Sequence, residues 1–184
     1  MRRVLVVLTL CAASFSLPAQ TGTAPLGWFL AGSKPQSYRT GVDSGTAFLA
    51  SSLANTGGFG TLMQSISAQN YAGKRVRFHA SVRSEGVTGW AGLWMRADQG
   101  SDTVAFDNMQ SRAIKGTTGW TNYDVVLDIP SGATGLSFGT LVDGSGEVWL
   151  DHVSLEVVGN EVPATGGTPH RSMPLSPINL DFRQ

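Results

Sequence analysis

Apolar and polar residues alternate with a period of two along most of this chain and nowhere repeat with the 3.6-residue period of a helix. The clearest run is Arg75–Arg83. Val76, Phe78, Ala80 and Val82 are interleaved there with Arg75, Arg77, His79, Ser81 and Arg83. Successive side chains of a strand point to opposite faces, so the first set predicts a core row and the second an outer row. Gly89–Asp98 splits the same way, with Ala91, Leu93, Met95 and Ala97 on one side and Trp90, Gly92, Trp94, Arg96 and Asp98 on the other. In Tyr123–Ile129 the inward set is Tyr123, Val125, Leu127 and Ile129, and Pro130 ends the run because proline cannot donate to a ladder. Further strands are predicted at Leu26–Ala31, Ser37–Val42, Thr46–Leu53, Phe59–Ser67, Val104–Met109, Gly135–Val142 and Glu147–Val158. Asn55-Thr56-Gly57-Gly58 and Asp143-Gly144-Ser145-Gly146 are strong turn signals between them. Roughly nine or ten short strands with glycine turns predict an all-β fold, an antiparallel β-sandwich.

The 184 residues suit one domain. Residues 1–19 read as a signal peptide. Arg2 and Arg3 form the positive start, Val4–Ala13 is an apolar stretch too short to span a bilayer, and Leu17-Pro18-Ala19 supplies a cleavage motif. Cleavage after Ala19 predicts a secreted or periplasmic chain without stable membrane insertion. Residues 20–25 read as a linker, 26–158 as the sandwich, 159–177 as a Pro/Gly-rich linker, and 178–184 as a strand or a disordered tail. The single cysteine, Cys11, lies inside the signal, so the mature chain has no disulfide, thiolate metal site or cysteine nucleophile. Thirteen basic and thirteen acidic residues cancel, which gives no electrostatic footprint for nucleic acid.

Candidate chemistry concentrates in Gly89–Trp120, which holds three of the five tryptophans and a cluster of charges in a chain only 14% charged. A sugar site needs flat aromatic faces and paired donors and acceptors. Trp90, Trp94 and Arg96 share one strand face, with Asp98, Asp107, Asn108, Gln110 and Arg112 as hydroxyl partners. Arg77, His79 and Arg83 join them if the strand Arg75–Arg83 lies alongside with the same face outward. Trp28, Trp120 and Trp149 are expected in the core. No Gly-x-Ser-x-Gly elbow, His-Glu-x-x-His, P-loop or Rossmann glycine motif is present, so catalysis has no sequence signature and no catalytic residue is assigned.

Three segments carry a resemblance: Tyr71-Ala72-Gly73-Lys74-Arg75-Val76-Arg77-Phe78, the central GWAGLWMRAD with AFDNMQ and IKGTTGW, and Gly146-Glu147-Val148-Trp149-Leu150-Asp151-His152-Val153-Ser154-Leu155-Glu156. Together they resemble a bacterial jelly-roll domain similar to carbohydrate-binding modules and galactose-binding-like sandwiches. That domain occurs alone in secreted proteins and ahead of some extracellular serine peptidases. The resemblance implies a jelly roll over residues 26–158 that binds a carbohydrate or another polar ligand without catalysis. The alternatives are a module that docks a protein partner and a small jelly-roll enzyme, a hydrolase or a cyclase. It also implies that Asn179-Leu180-Asp181-Phe182 returns to supply the first strand, beside Trp28, as a circular permutation. Many such modules hold a structural Ca²⁺ through the aspartate of the closing motif, here Asp151. The usual second acidic residue is replaced by Arg183, which a hard cation does not accept. No cofactor is required on this reading, and calcium at Asp151 stays open.

Overall fold

The computed structural model describes residues 23–167. The signal segment, the linker residues after 167 and the tail at 178–184, with its expected return to the first strand, lie outside the described residues. The strands are β1 (Phe29–Gly32), β2 (Tyr38–Asp43), β3 (Thr46–Ser51), β4 (Phe59–Ser67), β5 (Arg75–Gln99), β6 (Asp102–Asp107), β7 (Ile114–Asp128), β8 (Gly135–Asp143) and β9 (Glu147–Val158). Two short 3-10 turns, Pro35–Ser37 and Gln110–Arg112, are the only helical pieces among the described residues. All strand pairs are antiparallel. The fold is therefore all-β, as the alternation predicts.

The two cleanest predicted strands, Arg75–Arg83 and Gly89–Asp98, are one. β5 runs for 25 residues and belongs to two layers. Its first half pairs with β7 on one side and β9 on the other, giving the layer β2-β3-β9-β5-β7. Its second half pairs with β8 and β6, giving the layer β1-β4-β8-β5-β6. The strand passes between layers near Glu85–Gly89. Gly86 there has φ +60°, and a Cβ on Gly89 would collide with the Asp143 carbonyl oxygen. Glycine at both points lets the chain bend and keeps the ladder to β8 close.

The two inward rows of β5 meet between the layers. Val76, Phe78, Ala80, Val82, Leu93 and Met95 are fully buried, with Leu62, Leu136, Val125, Leu127 and Leu49 among them. Phe138 packs on Phe78 at 5.1 Å and takes the edge of Trp28 at 5.9 Å. The alternation thus places the core rows correctly, but three tryptophans do not follow the core expectation. Trp28 is only partly buried against the core, Trp149 lies under Arg83 on an outer face, and Trp120 is 48% exposed.

Boundaries shift where local geometry overrides the pattern. β1 starts at Phe29 because Pro25 to Trp28 forms a turn through Gly27 at φ +82°. β7 begins nine residues before Tyr123, since its polar first half pairs with β5 through bulges and shows no alternation to read. β6 ends at Asp107, and Met109, at φ +61°, buries its side chain in the core. Residues 162–167, expected as free linker, form a strap. Thr165 exchanges bonds with Val126 of β7, and the Gly167 carbonyl accepts from the Phe106 amide of β6. The strap ties together the edge strands of the two layers.

Candidate ligand groove

The outer face of the layer β1-β4-β8-β5-β6 is a groove of about 500 Å³. Register builds it. Trp90 of β5 stands opposite Asp143 of β8, which stands opposite Phe59 of β4. Two residues along, Gly92, Leu141, Thr61 and Ala31 form the next row. Trp94, Gly139 and Met63 form the third. Arg96 pairs with Phe106 of β6 at the far end. Trp94 is the floor, at 8% exposure, with its indole N–H donating to Thr61 Oγ1 at 2.8 Å. Thr61 donates in turn to the Thr140 carbonyl. Phe59 and Phe106 are exposed, and Trp90 is half-buried. The lining is mainly apolar, with Arg96, Asn108 and Asp143 as charged or amide groups.

Of the eleven residues the sequence nominated, four line this groove: Trp90, Trp94, Arg96 and Asn108. Asp98 acts on Arg96. It accepts from Arg96 Nε at 3.0 Å and from Thr103 Oγ1 at 3.1 Å, which holds the guanidinium against the sheet. Gln110 sits on the exposed 3-10 turn, where its backbone N–H donates to Asn108 Oδ1.

Asp107 and Arg112 do not face the groove. Asp107 pairs with Met95, a core residue, so its side chain points to the opposite side of β6 from Phe106. There it takes both Arg112 guanidinium nitrogens (3.2 and 2.6 Å), the Met109 amide (2.9 Å) and the Thr165 hydroxyl (2.6 Å). Partial burial pushes its carboxyl up, but these bonds outweigh it and hold the pKa below the ordinary carboxylate value. The pair closes the sandwich edge under the strap, and its acceptors are spent.

Arg77 and His79 are corrected too. They lie on the outer face of the other layer because β5 changes layers between them and Trp90. Arg77 pairs with Glu156 at 2.9 Å, and His79 Nδ1 lies 2.7 Å from Asp124 Oδ1. Asp151 accepts from the His152 amide, and among the described residues no cluster of three metal-ligating side chains forms around it.

Phe59, Thr61, Met63, Phe106, Leu141 and Asp143 were missed. Each sits on the outward register of its strand, a signal present in the alternation. Reading it required the order β4-β8-β5-β6.

No family model matches the chain. Over 167 residues it is 39% identical to an uncharacterized HTH-type transcriptional regulator, YbfP, of Bacillus subtilis. The match covers 86% of this chain and 57% of the regulator, so the chain spans little more than half of that relative's length. Among solved structures it is similar to the CBM22-1 xylan-binding domain of Paenibacillus barcinonensis Xyn10C, with a TM-score of 0.51, 14% identity, 75% of this chain and 90% of that one. The fold is a jelly-roll sandwich. A Stig cyclase, Fisc, of Fischerella sp. TAU is similar at a TM-score of 0.50 and 14% identity, over 83% of this chain and 93% of that one. Several of the similar solved structures are carbohydrate-binding modules. At this identity the likeness speaks for the fold, and no α-helix lies within residues 23–167 to match the motif in the regulator's name.

Proposed function

We propose that this chain is an exported, non-catalytic binding module that takes a carbohydrate in the groove on the outer face of β1-β4-β8-β5-β6. The observation that carries the reading is the row Phe59, Trp90, Trp94 and Phe106 beside Arg96. Aromatic faces stack on the apolar faces of sugar rings. Arg96 spends its Nε on Asp98 and keeps its terminal nitrogens for an acceptor on the ligand. A volume of about 500 Å³ falls in the range of small-molecule sites. Asp143 is the one carboxylate among the residues that line the groove, so the lining offers no carboxylate pair for acid–base catalysis.

Isothermal titration of the full chain with xylohexaose, cellohexaose and β-1,4-galactotriose tests the reading. Trp90→Ala and Arg96→Ala are each expected to weaken binding by about tenfold, the scale of one stacking or charged hydrogen-bond contact. Absence of heat and of any thermal shift across the three sugars would reject it. The apolar share of the lining favours a second reading, a compact ring compound as ligand, and a regulator is a protein in which such a module would serve as sensor. Indole binding with the sugars silent would select that reading. N-terminal sequencing of chain recovered outside the cytoplasm tests export, with Gln20 expected as first residue.

A further inference from the structure

We infer that the outer face of the second layer, β2-β3-β9-β5-β7, carries a separate site for a neutral sugar ring, built on Trp120, Arg83 and Trp149. The groove lies on the other layer, so this site stands or falls independently of it.

The cations of this face are almost all matched to a carboxylate on a neighbouring strand. Arg39 meets Glu147 at 3.5 Å, Arg75 meets Asp128 at 2.7 Å, Arg77 meets Glu156 at 2.9 Å and His79 meets Asp124 at 2.7 Å. Arg83 has no ion pair and no hydrogen bond among the described residues. Its guanidinium carbon lies 3.9 Å over the Trp149 ring. Its Nε is buried without a partner, the one such side-chain atom among the described residues. A buried donor left unmatched costs stability; the Trp149 ring lies against the guanidinium, and the terminal nitrogens of the fork are the donors left for a ligand.

A bulge sets the rest of the site. Val82 pairs with Thr121 and Ser84 with Thr118, so Gly119 and Trp120 together oppose Arg83. Bulges re-aim a side chain and recur beside functional sites. Trp120 is 48% exposed, on the strand edge next to Arg83. Asn122, opposite Ser81, is exposed on the same strand, and Glu85 is exposed two residues beyond Arg83. A sugar ring lies with its C–H face on Trp120, accepts from the rigid Arg83 fork, and donates hydroxyls to Glu85 and Asn122. Glu85 and Glu147 stand opposite each other beside this arginine and repel an anion, which is why the ring is neutral.

The five indole N–H signals of the full chain report on both faces. Titrated with xylohexaose, cellohexaose and β-1,4-galactotriose, the Trp120 and Trp149 signals are expected to shift saturably with at least one. Trp120→Ala, a surface change that leaves the fold intact, abolishes the Trp149 response and leaves that of Trp90 unaltered. Arg83→Gln weakens it at least tenfold. Unmoved Trp120 and Trp149 signals at millimolar concentrations of all three sugars overturn the inference. If Trp90 then shifts, the groove reading survives alone, and the converse pattern leaves this site alone. Tighter binding of galacturonic acid than of galactose overturns the neutral-ring assignment.

Discussion

Replacing Asp107 with alanine removes acceptors for three donors besides one arm of Arg112. A hydrogen bond to a charged group contributes about 1.5–3 kcal/mol, but neighbouring bonds do not add. Arg112 also keeps its bond to the Asp124 carbonyl and has 35% of its side chain in water, so the freed guanidinium is partly hydrated. The buried side is different: the Asp107 side chain is only 9% exposed, and Met109 and Thr165 depend on it for their positions. The expected cost is therefore about 2–4 kcal/mol, below the sum of the individual bonds. Asp128→Ala is the control. Asp128 pairs with Arg75 at 2.7 Å but is 63% exposed, and such pairs contribute about 0–1 kcal/mol. Urea unfolding followed by tryptophan fluorescence compares the two midpoints. Because the Asp107 carboxyl titrates below its unfolded value, its stabilisation is full above the ordinary carboxylate range and is lost as pH falls below it. The wild type then loses stability on acidification more steeply than Asp107→Ala. Equal midpoints for the two variants, or identical acid profiles for wild type and Asp107→Ala, would refute the assignment of Asp107 to the edge.

Gly166→Ala is expected to detach the strap, since a Cβ there would strike Asp107 Cβ and the Phe106 carbonyl. Hydrogen exchange at the Phe106 amide should accelerate at least tenfold while core amides such as Phe78 stay protected. Glu147 has a raised pKa, first from burial and then from Glu85, only partly offset by Arg39, so its charge opposes folding above its folded pKa. Glu147→Gln should leave stability at pH 7 unchanged or raise it by a few tenths of a kcal/mol, and should remove the gain that the wild type shows as pH falls toward 4. Trp94→Ala empties the groove floor and strands Thr61, so a loss of about 3–5 kcal/mol is expected by urea unfolding. Trp90→Ala, half-exposed, should cost under about 2 kcal/mol, which makes it the cleaner probe of binding.

Single-strand alternation carried the local information well. Val76, Phe78, Ala80 and Val82, and Ala91, Leu93, Met95 and Ala97, form core rows where the period of two puts them. The bounds of β4 and β9 coincide with the predicted Phe59–Ser67 and Glu147–Val158. The pattern did not reveal that two of these runs are one strand, because a layer change at Gly86–Gly89 leaves the alternation on either side intact. That one event sends Arg77 and His79 to one outer face and Trp90, Trp94 and Arg96 to the other.

The amino-acid sequence by itself therefore determined the class, the strand positions and which face of each strand turns inward, because those depend on the period of side chains along one chain segment. Tertiary structure alone decided which outward faces share a surface. Phe59, Met63, Leu141 and Phe106 reach Trp90 and Trp94 only through the pairings of β4, β8, β5 and β6. Asp107, two residues from Ala105 and adjacent to Phe106, was drawn to the edge lock by Arg112 and by Thr165, which lies 58 residues away in sequence. Contacts of that separation are set by the order and stagger of the strands, and no local period encodes them.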